Sequence, residues 1–154
     1  GYPAMAMLRL PTRSSGGKAN LHQGAIGAGV DIASGTTRLG VCQNDITDHH
    51  PDTMQTISHV QIPYWHDILQ IASACYELTG MGYLGVDIVI DAHEGPLMLE
   101  LNARPGLSAN QEGLLGRLRA IEARATLQPH EAITSRIAFS QHQFARPLEQ
   151  KAII

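Results

Sequence analysis

The chain has 154 residues, a formal net charge of −3 and 44% hydrophobic residues, which suits one globular domain or one piece of a larger one. Its slightly acidic charge forms no basic stripe, which argues against nucleic acid as a partner. No apolar run approaches about 18 residues, so no membrane-spanning helix is expected, and no segment has the pattern of a signal peptide.

The first predicted element is a β-strand over residues 4–10, where apolar side chains alternate with others. Ala6, Leu8 and Leu10 would face the core, and Arg9 would lie on the open face. A solvated arginine on an amphipathic strand is the plain interpretation of Arg9.

A polar loop of Pro, Thr, Ser and Gly residues follows at residues 11–17. Loops of this composition are mobile and can close over a ligand. Lys18 and Asn20 come directly after the loop, and in an extended chain they would share a face with His22. His22 has no evident partner, so we interpret it as an ordinary loop histidine.

Two further strands are predicted over residues 25–32 and 36–42, joined by a turn. Residues 43–63 form a long polar connection that contains the adjacent His49 and His50. The two imidazole rings would diverge in an extended chain, and no cysteine lies at ligand spacing, so we do not interpret them as a zinc site. We expect this connection to be an ordered surface excursion.

Three helices are predicted. The clearest covers residues 66–79, and Gly80 gives the stop signal. Its predicted apolar stripe, at helical spacing, consists of Ile68, Ile71, Ala72, Cys75 and Tyr76. A second covers residues 111–125, with leucines and an isoleucine along one stripe. A third is centred on residues 131–144 and precedes a frayed tail.

A β-hairpin is predicted between the first two helices, because two apolar runs of strand length flank a short polar loop. The loop covers residues 92–95 and is centred between His93 and Glu94. The pairing that follows puts Ile90 opposite Leu97 and, by the same count, Asp87 opposite Glu100.

Side chains alternate along each strand, so Asp87, Glu100 and Asn102 converge on one face of the hairpin together with Met98, while the aliphatic side chains, Leu97 among them, form the other. Two carboxylates directly opposite each other repel, and a divalent cation would resolve the conflict. Three hard oxygen donors suit Mg²⁺ or Mn²⁺ better than zinc. An amphipathic hairpin with a merely solvated polar face is the alternative, because the register is inferred.

The hairpin belongs to a longer pattern: Gly-Val-Asp-Ile at residues 85–88 and Leu-Glu-Leu-Asn-Ala-Arg-Pro-Gly at residues 99–106. Together with Asn-Leu-His-Gln-Gly at residues 20–24 and Arg9 on an early strand, it resembles the C-terminal metal-binding segment of the ATP-grasp superfamily of carboxylate–amine ligases. Within that superfamily the chain is most similar to the alpha-L-glutamate ligase-related branch, near the enzymes that add glutamate to a ribosomal protein. The resemblance extends over residues 2–123.

The resemblance implies an α+β fold, with a mainly antiparallel sheet and helices packed on one face, which corresponds to the C-terminal ATP-grasp subdomain. We assign residues 1–125 to this catalytic subdomain and residues 126–154 to a C-terminal helical extension or tail. The lysine-bearing strands and the hinge that hold adenine in the family are expected in an upstream half that this sequence lacks.

The resemblance also implies residue roles. Arg9 matches the arginine that contacts the transferred phosphate, and Lys18 matches a position that holds phosphate or the acceptor and is often arginine in related ligases. Asn20 would help to hold phosphate or metal. Arg104 would act on the acceptor or the phosphate, with a structural salt bridge as the alternative. The implied cofactors are ATP and Mg²⁺ (or Mn²⁺), and the ion would be held by Asp87, Glu100 and Asn102.

The implied function is an ATP- and Mg²⁺-dependent ligase that joins a small-molecule or peptide carboxylate to an amine (or thiol) through an acyl phosphate. The alternative is a non-catalytic nucleotide- or metal-binding or dimerisation module of the same fold, in which an exposed face drives homodimerisation. A metal-dependent phosphohydrolase fits less well, because it needs more ligands. Cys42 and Cys75 are interpreted as buried thiols, which favours a reducing, cytoplasmic location.

Overall fold

The architecture is α+β, as predicted. The computed structural model describes residues 1–105 and 113–145. The strands are β1 (Ala6–Leu10), β2 (Ile26–Val30), β3 (Thr37–Cys42), β4 (Asp45–Thr47), β5 (Gly85–Asp91) and β6 (Gly95–Asn102). The helices are α1 (Trp65–Thr79), α2 (Leu114–Leu127) and α3 (Ile133–Phe144), with a short 3₁₀ helix at Leu21–Gln23. No helix in these two ranges is long and apolar enough to cross a membrane.

The strands form two antiparallel sheets. Four strands pair in the order β1-β2-β3-β4, and β5 pairs with β6 as the predicted hairpin. The interpretation of residues 43–63 as a plain connection is wrong in its first part, because β4 lies there. A strand of three residues is too short for its side chains to show a period-two pattern in the sequence. The strand follows a two-residue turn at Gln43 and Asn44, whose φ angles of 49° and 78° are typical of a tight hairpin turn.

The inner face of the four-stranded sheet carries the core in two clusters. The first consists of Ile26, Ala28 and Ile57. The second joins the end of the sheet to α1 and α3 through Ile32, Leu69 and Ile137. Strand β1 packs Leu10 against the first cluster and Ala6 against the second, so its predicted inward face is confirmed.

Trp65, the first residue of α1, holds the helix against the turn between β2 and β3. Its indole Nε1 donates a hydrogen bond of 3.0 Å to the carbonyl oxygen of Ile32. Gly35 in this turn has a φ of +73°, and a Cβ atom there would lie 2.4 Å from Cγ of Trp65. The turn therefore requires glycine both for its left-handed backbone and for its contact with the indole ring.

Helix α1 confirms the helix predicted over residues 66–79, and it ends as predicted. Gly80 is left-handed, and its N–H donates a hydrogen bond of 2.7 Å to the carbonyl oxygen of Tyr76. Tyr76 itself is 42% exposed, so the buried side of the helix is rotated from the predicted stripe. The buried side chains are Leu69, Ser73 and Cys75. Cys42 and Cys75 are free thiols, as predicted, but only Cys75 is buried, so the predicted burial of Cys42 is wrong.

Helices α2 and α3 agree with the helices predicted at residues 111–125 and 131–144, although residues 111 and 112 and the predicted tail at 146–154 lie outside the described residues. Helix α3 packs against α1. Its Ile137 lies in the second core cluster, and its buried Arg136 forms an ion pair with Glu77 of α1. The helix after residue 126 therefore shares the core of the preceding residues.

Glu131 connects the loop between α2 and α3 to the start of the chain. Its carboxylate accepts a hydrogen bond of 3.1 Å from Nε of Arg124 and one of 2.8 Å from the hydroxyl of Tyr2. The hydrogen bonds from Arg124 lower the pKa of Glu131. Burial, together with the bond to this carboxylate, raises the pKa of Tyr2 to about 12. The ionised carboxylate is thus the form that the fold favours.

Replacing Gly35 with alanine should destabilise the chain by about 2–4 kcal/mol, because the methyl group meets the indole ring and the backbone is left-handed. Urea unfolding measures the loss. Gly82→Ala is the control, since a Cβ atom at residue 82 has no neighbour within 4 Å. Equal midpoints for the two variants would contradict the assigned contact with Trp65.

The Glu131 carboxylate should make stability depend on pH in the acid range. Because its pKa is lower in the folded chain, the stabilisation is present above the ordinary carboxyl pKa and is lost as the pH falls through the folded value. Glu131→Gln should therefore be less stable than the natural chain at pH 7, and the difference in urea midpoint should shrink below about pH 4. Glu122→Gln, on the exposed side of α2, should show no such trend.

Candidate functional site

The hairpin of β5 and β6 has two registers along its length. Near the turn, Ile90 pairs with Pro96, so the predicted pairing of Ile90 with Leu97 is wrong. Past a bulge the register shifts by one residue, and Asp87 pairs with Glu100 as predicted. The predicted pairing of Asp87 with Glu100 is confirmed, because the extra residue in the bulge offsets a turn that is one residue shorter than predicted.

The turn explains the shift. Its loop has three residues, 92–94, between the paired Asp91 and Gly95, and Gly95 closes it with a φ of +77°. Oδ1 of Asp91 accepts hydrogen bonds of 2.8 and 3.0 Å from the N–H groups two and three residues later, which lower the pKa of Asp91. Leu99 is then the extra residue in β6, as the pairing on either side of it shows.

The bulge also changes which side chains share a face. Leu97 pairs with Val89 and lies on the face of Asp87, while Met98 lies on the opposite face. The predicted faces of Leu97 and Met98 are therefore wrong. Val89 and Leu97 are 42% and 41% exposed, so an apolar pair adjoins the acidic pair on the side of the turn.

The predicted metal ligands do share one face, because Asn102 pairs with Gly85 where Glu100 pairs with Asp87. A Cβ atom on Gly85 would lie 2.8 Å from Cβ of Pro105, so the chain turns back over β5 directly after Asn102. No group of three His, Cys, Asp or Glu side chains in residues 1–105 and 113–145 could hold a metal. A metal at the hairpin would therefore need the amide oxygen of Asn102 beside the two carboxylates, and hard oxygen donors of this kind fit Mg²⁺.

Arg9 lies beside the acidic pair. Its Nη2 atom is 3.5 Å from Oδ1 of Asp87, across 78 residues of sequence. The two side chains are 49% and 37% exposed, so the contact faces solvent. In β1, Arg9 pairs with Gly27 of β2, where the neighbouring strand carries no side chain. One cation thus faces one member of the acidic pair, and the phosphate-binding role of Arg9 stays a prediction.

Lys18, Asn20 and Arg104 are each exposed, and none bonds to the Arg9–Asp87 pair within the described residues. Oδ1 of Asn20 accepts a hydrogen bond of 3.0 Å from the N–H of His22 and so caps the 3₁₀ helix. The side chains of Lys18 and Arg104 make no hydrogen bond or ion pair with the described residues, which leaves them available to a ligand. Their catalytic and phosphate-binding roles stay predictions.

The loop at residues 11–17 is more firmly built than its composition predicts. Thr12 and Ser15 are buried at 4% and 3% exposure. Oγ1 of Thr12 donates a hydrogen bond of 2.8 Å to the carbonyl oxygen of Gly24 and accepts one of 3.1 Å from the N–H of Ser15. The base of the loop is therefore fixed to Gly24, two residues before β2, while its other residues are exposed.

His50 contacts this loop, a role that sequence reasoning missed. Its Nε2 atom lies 2.9 Å from the carbonyl oxygen of Pro11, and its Nδ1 accepts a hydrogen bond of 3.2 Å from the N–H of Asp52. The His-Pro-Asp sequence is typical of a turn, since proline favours the second position. That signal predicts the turn, but not the distant loop that the imidazole reaches.

Comparison with known families agrees with the predicted superfamily. The family model described as sugar-transfer associated ATP-grasp matches residues 1–123. The matched range contains the whole hairpin and every predicted site residue. The match confirms the ATP-grasp superfamily, whereas the glutamate ligase-related branch stays a prediction. Neither the curated proteins nor the solved structures include a significant match to this chain.

Glu100→Gln should stabilise the metal-free chain by roughly 0.2–1 kcal/mol, because it removes the repulsion across the Asp87–Glu100 pair. Urea unfolding in EDTA measures the change. Glu94→Gln removes the same charge from the turn of the same hairpin, and its urea midpoint should not move. A Glu100→Gln variant that is less stable than the natural chain in EDTA would show that Glu100 has an attractive partner instead.

Proposed function

Because this chain belongs to the sugar-transfer associated ATP-grasp family, we propose that it supplies the metal- and phosphate-binding half of an ATP-dependent ligase. Membership of the family supports nucleotide binding. The finer proposal is that a carboxylate is activated with ATP and then joined to an amine (or thiol).

The observation that carries the proposal is the meeting of Arg9 with the Asp87–Glu100 pair on one open face. Such a pair costs stability in the absence of a cation. It is explained if the two carboxylates and Asn102 hold Mg²⁺ (or Mn²⁺) while Arg9 binds the phosphoryl group that the ion also contacts. Arginine suits that task because its planar fork binds a phosphoryl group at two points.

In the proposed reaction, a carboxylate oxygen of the substrate attacks the γ-phosphorus of ATP, and ADP leaves. The amine then attacks the carbonyl carbon of the acyl phosphate, and phosphate leaves with the proton that the amine gives up as the amide forms. Arg9 and Lys18 would stabilise the charge on the transferred group, Arg104 would orient the acceptor or the phosphate, and Asn20 would contact phosphate. A bound Mg²⁺ would supply a template and a Lewis acid. No side-chain nucleophile is required.

The substrate classes follow from the proposed chemistry. The donor is a small-molecule or peptide carboxylate, and the acceptor is an amine. The glutamate ligase-related resemblance favours glutamate as one of the two. The matched family is described as sugar-transfer associated, which extends the search to acceptors that carry a sugar.

Titration calorimetry of ATP with and without Mg²⁺ tests the proposal. We expect weak binding that requires Mg²⁺ and that falls at least about tenfold in Glu100→Gln, because the variant loses one charged ligand. Glu94→Gln, which changes the same charge in the turn, should bind as the natural chain does. Magnesium-dependent binding that survives Glu100→Gln would overturn the metal site, and the absence of binding to the natural chain would overturn the proposal for this chain alone.

The alternative, a non-catalytic binding or dimerisation module, is favoured by a different observation. Large apolar side chains on both sheets face solvent, among them Ile46 at 74% and Leu99 at 68% exposure. A homodimer could cover them. Sedimentation velocity separates the two proposals: a dimer that Ile46→Glu dissociates, together with no ATP binding, would favour the module.

A further inference from the structure

Residues 48–56 form a closed turn after β4, here called the His50 turn. Its two sides bridge at His49 and Thr56, and the N–H of His50 donates a hydrogen bond of 2.9 Å to the carbonyl oxygen of Gln55. The N–H of Ile57 closes the turn with a bond of 2.8 Å to the carbonyl oxygen of Asp48. The side chain of His50 is thus presented from a backbone that is itself fixed.

Two hydrogen bonds join the His50 turn to the start of the Lys18 loop, defined as residues 11–24. Nε2 of His50 lies 2.9 Å from the carbonyl oxygen of Pro11, and the N–H of Arg13 donates a bond of 2.8 Å to Oδ2 of Asp52. They hold the loop on either side of Thr12, whose hydroxyl binds Gly24 at the far end. The loop therefore leaves β1 in a direction set by the His50 turn.

The contacts of His50 indicate which ring nitrogen donates and which accepts. A carbonyl oxygen can only accept, so Nε2 carries the hydrogen that bonds to Pro11. The N–H of Asp52 can only donate, so Nδ1 accepts and carries no hydrogen. Both contacts are satisfied by the tautomer that carries its hydrogen on Nε2, and the imidazole is only 14% exposed. Nδ1 also lies 4.0 Å from Oδ2 of Asp52, so the ring is held between Pro11 and Asp52.

We propose that His50 is a positioning residue for phosphate binding: by holding Pro11, two residues after Arg9, it directs the loop that presents Lys18 and Asn20. This inference rests on the proposed function of those residues. Its physical reason is preorganisation, since a loop that is already in its bound direction loses less conformational entropy when a phosphate arrives. His50 itself need not touch the ligand.

The side chain offers a matched pair of variants. In His50→Gln, the amide nitrogen can occupy the place of Nε2 and donate to Pro11. In His50→Asn, the shorter amide can replace Nδ1 as the acceptor for Asp52 but cannot reach Pro11. His50→Ala removes both contacts, and His49→Ala, at the exposed neighbour, is the control. Comparison of the Gln and Asn variants isolates the hydrogen bond to the loop from the folding of the turn.

Two measurements on these variants decide the proposal. Amide hydrogen exchange over residues 11–18 should quicken about tenfold in the Ala and Asn variants, the effect expected for one lost hydrogen bond, and stay unchanged in the Gln and His49→Ala variants. The affinity for Mg²⁺·ATP is measured by calorimetry under conditions in which every variant is equally far from its unfolding midpoint. It should fall about three- to tenfold in the Ala and Asn variants and be restored in the Gln variant.

The outcomes separate this inference from the proposed function. If the natural chain binds Mg²⁺·ATP and the Asn variant binds it equally well, the positioning role of His50 is overturned. Equal losses in Gln and Asn would also overturn it, because the bond to Pro11 would not be the cause. If the natural chain does not bind Mg²⁺·ATP, the proposed function fails and the positioning role with it, while the exchange data still decide whether His50 holds the loop. If His50→Ala does not fold, the Gln and Asn pair carries the test.

Discussion

The direct pairing of Asp87 with Glu100 is the constraint on which the candidate site depends. Two like charges opposite each other in a sheet oppose its stability by up to about 1 kcal/mol, yet the surrounding structure maintains the pair. The bulge in β6 restores the register that creates it, Gly85 lets Pro105 fold back beside it, and Arg9 approaches it from another sheet. The bulge thus sets the pairing and Arg9 offsets part of the repulsion at Asp87, which leaves a functional origin for the pair as a proposal.

The predicted parts of the fold are those that local chemistry decides. Period-two alternation predicts β1 and the hairpin, and the left-handed Gly80 ends α1 where the sequence predicts. The half of the hairpin near the turn could not be predicted, because loops of three and four residues have the same composition and differ by one step of register. Contacts between distant segments, such as that of Arg9 with Asp87, depend on packing that no local pattern contains. The roles of Lys18, Asn20 and Arg104 rest on resemblance, because their chemistry involves a ligand.

The family match ends at residue 123, but the cooperative core continues beyond it. Helix α3 contributes Ile137 to the cluster that also contains Ile32. Around that contact, arginine and aromatic side chains alternate: Arg117 lies over Phe144, and the ring of Phe139 meets both Phe144 and Tyr2 edge to face. Such contacts add to area burial by fractions of a kcal/mol to about 1.5 kcal/mol each. The sheet that carries Arg9 is therefore supported by residues from both ends of the described chain.

The bulge at Leu99 separates the hairpin into a tip and a base whose registers differ by one residue. Along an uninterrupted ladder, one added residue in the turn would invert every side chain that follows it. Here the extra residue in β6 absorbs such a change before it reaches Glu100. The same acidic pair would therefore result from a four-residue turn without the bulge, so the turn can change by one residue only together with the bulge. Substitutions in the tip that keep this balance would alter the surface beside the acidic pair and leave Asp87 opposite Glu100.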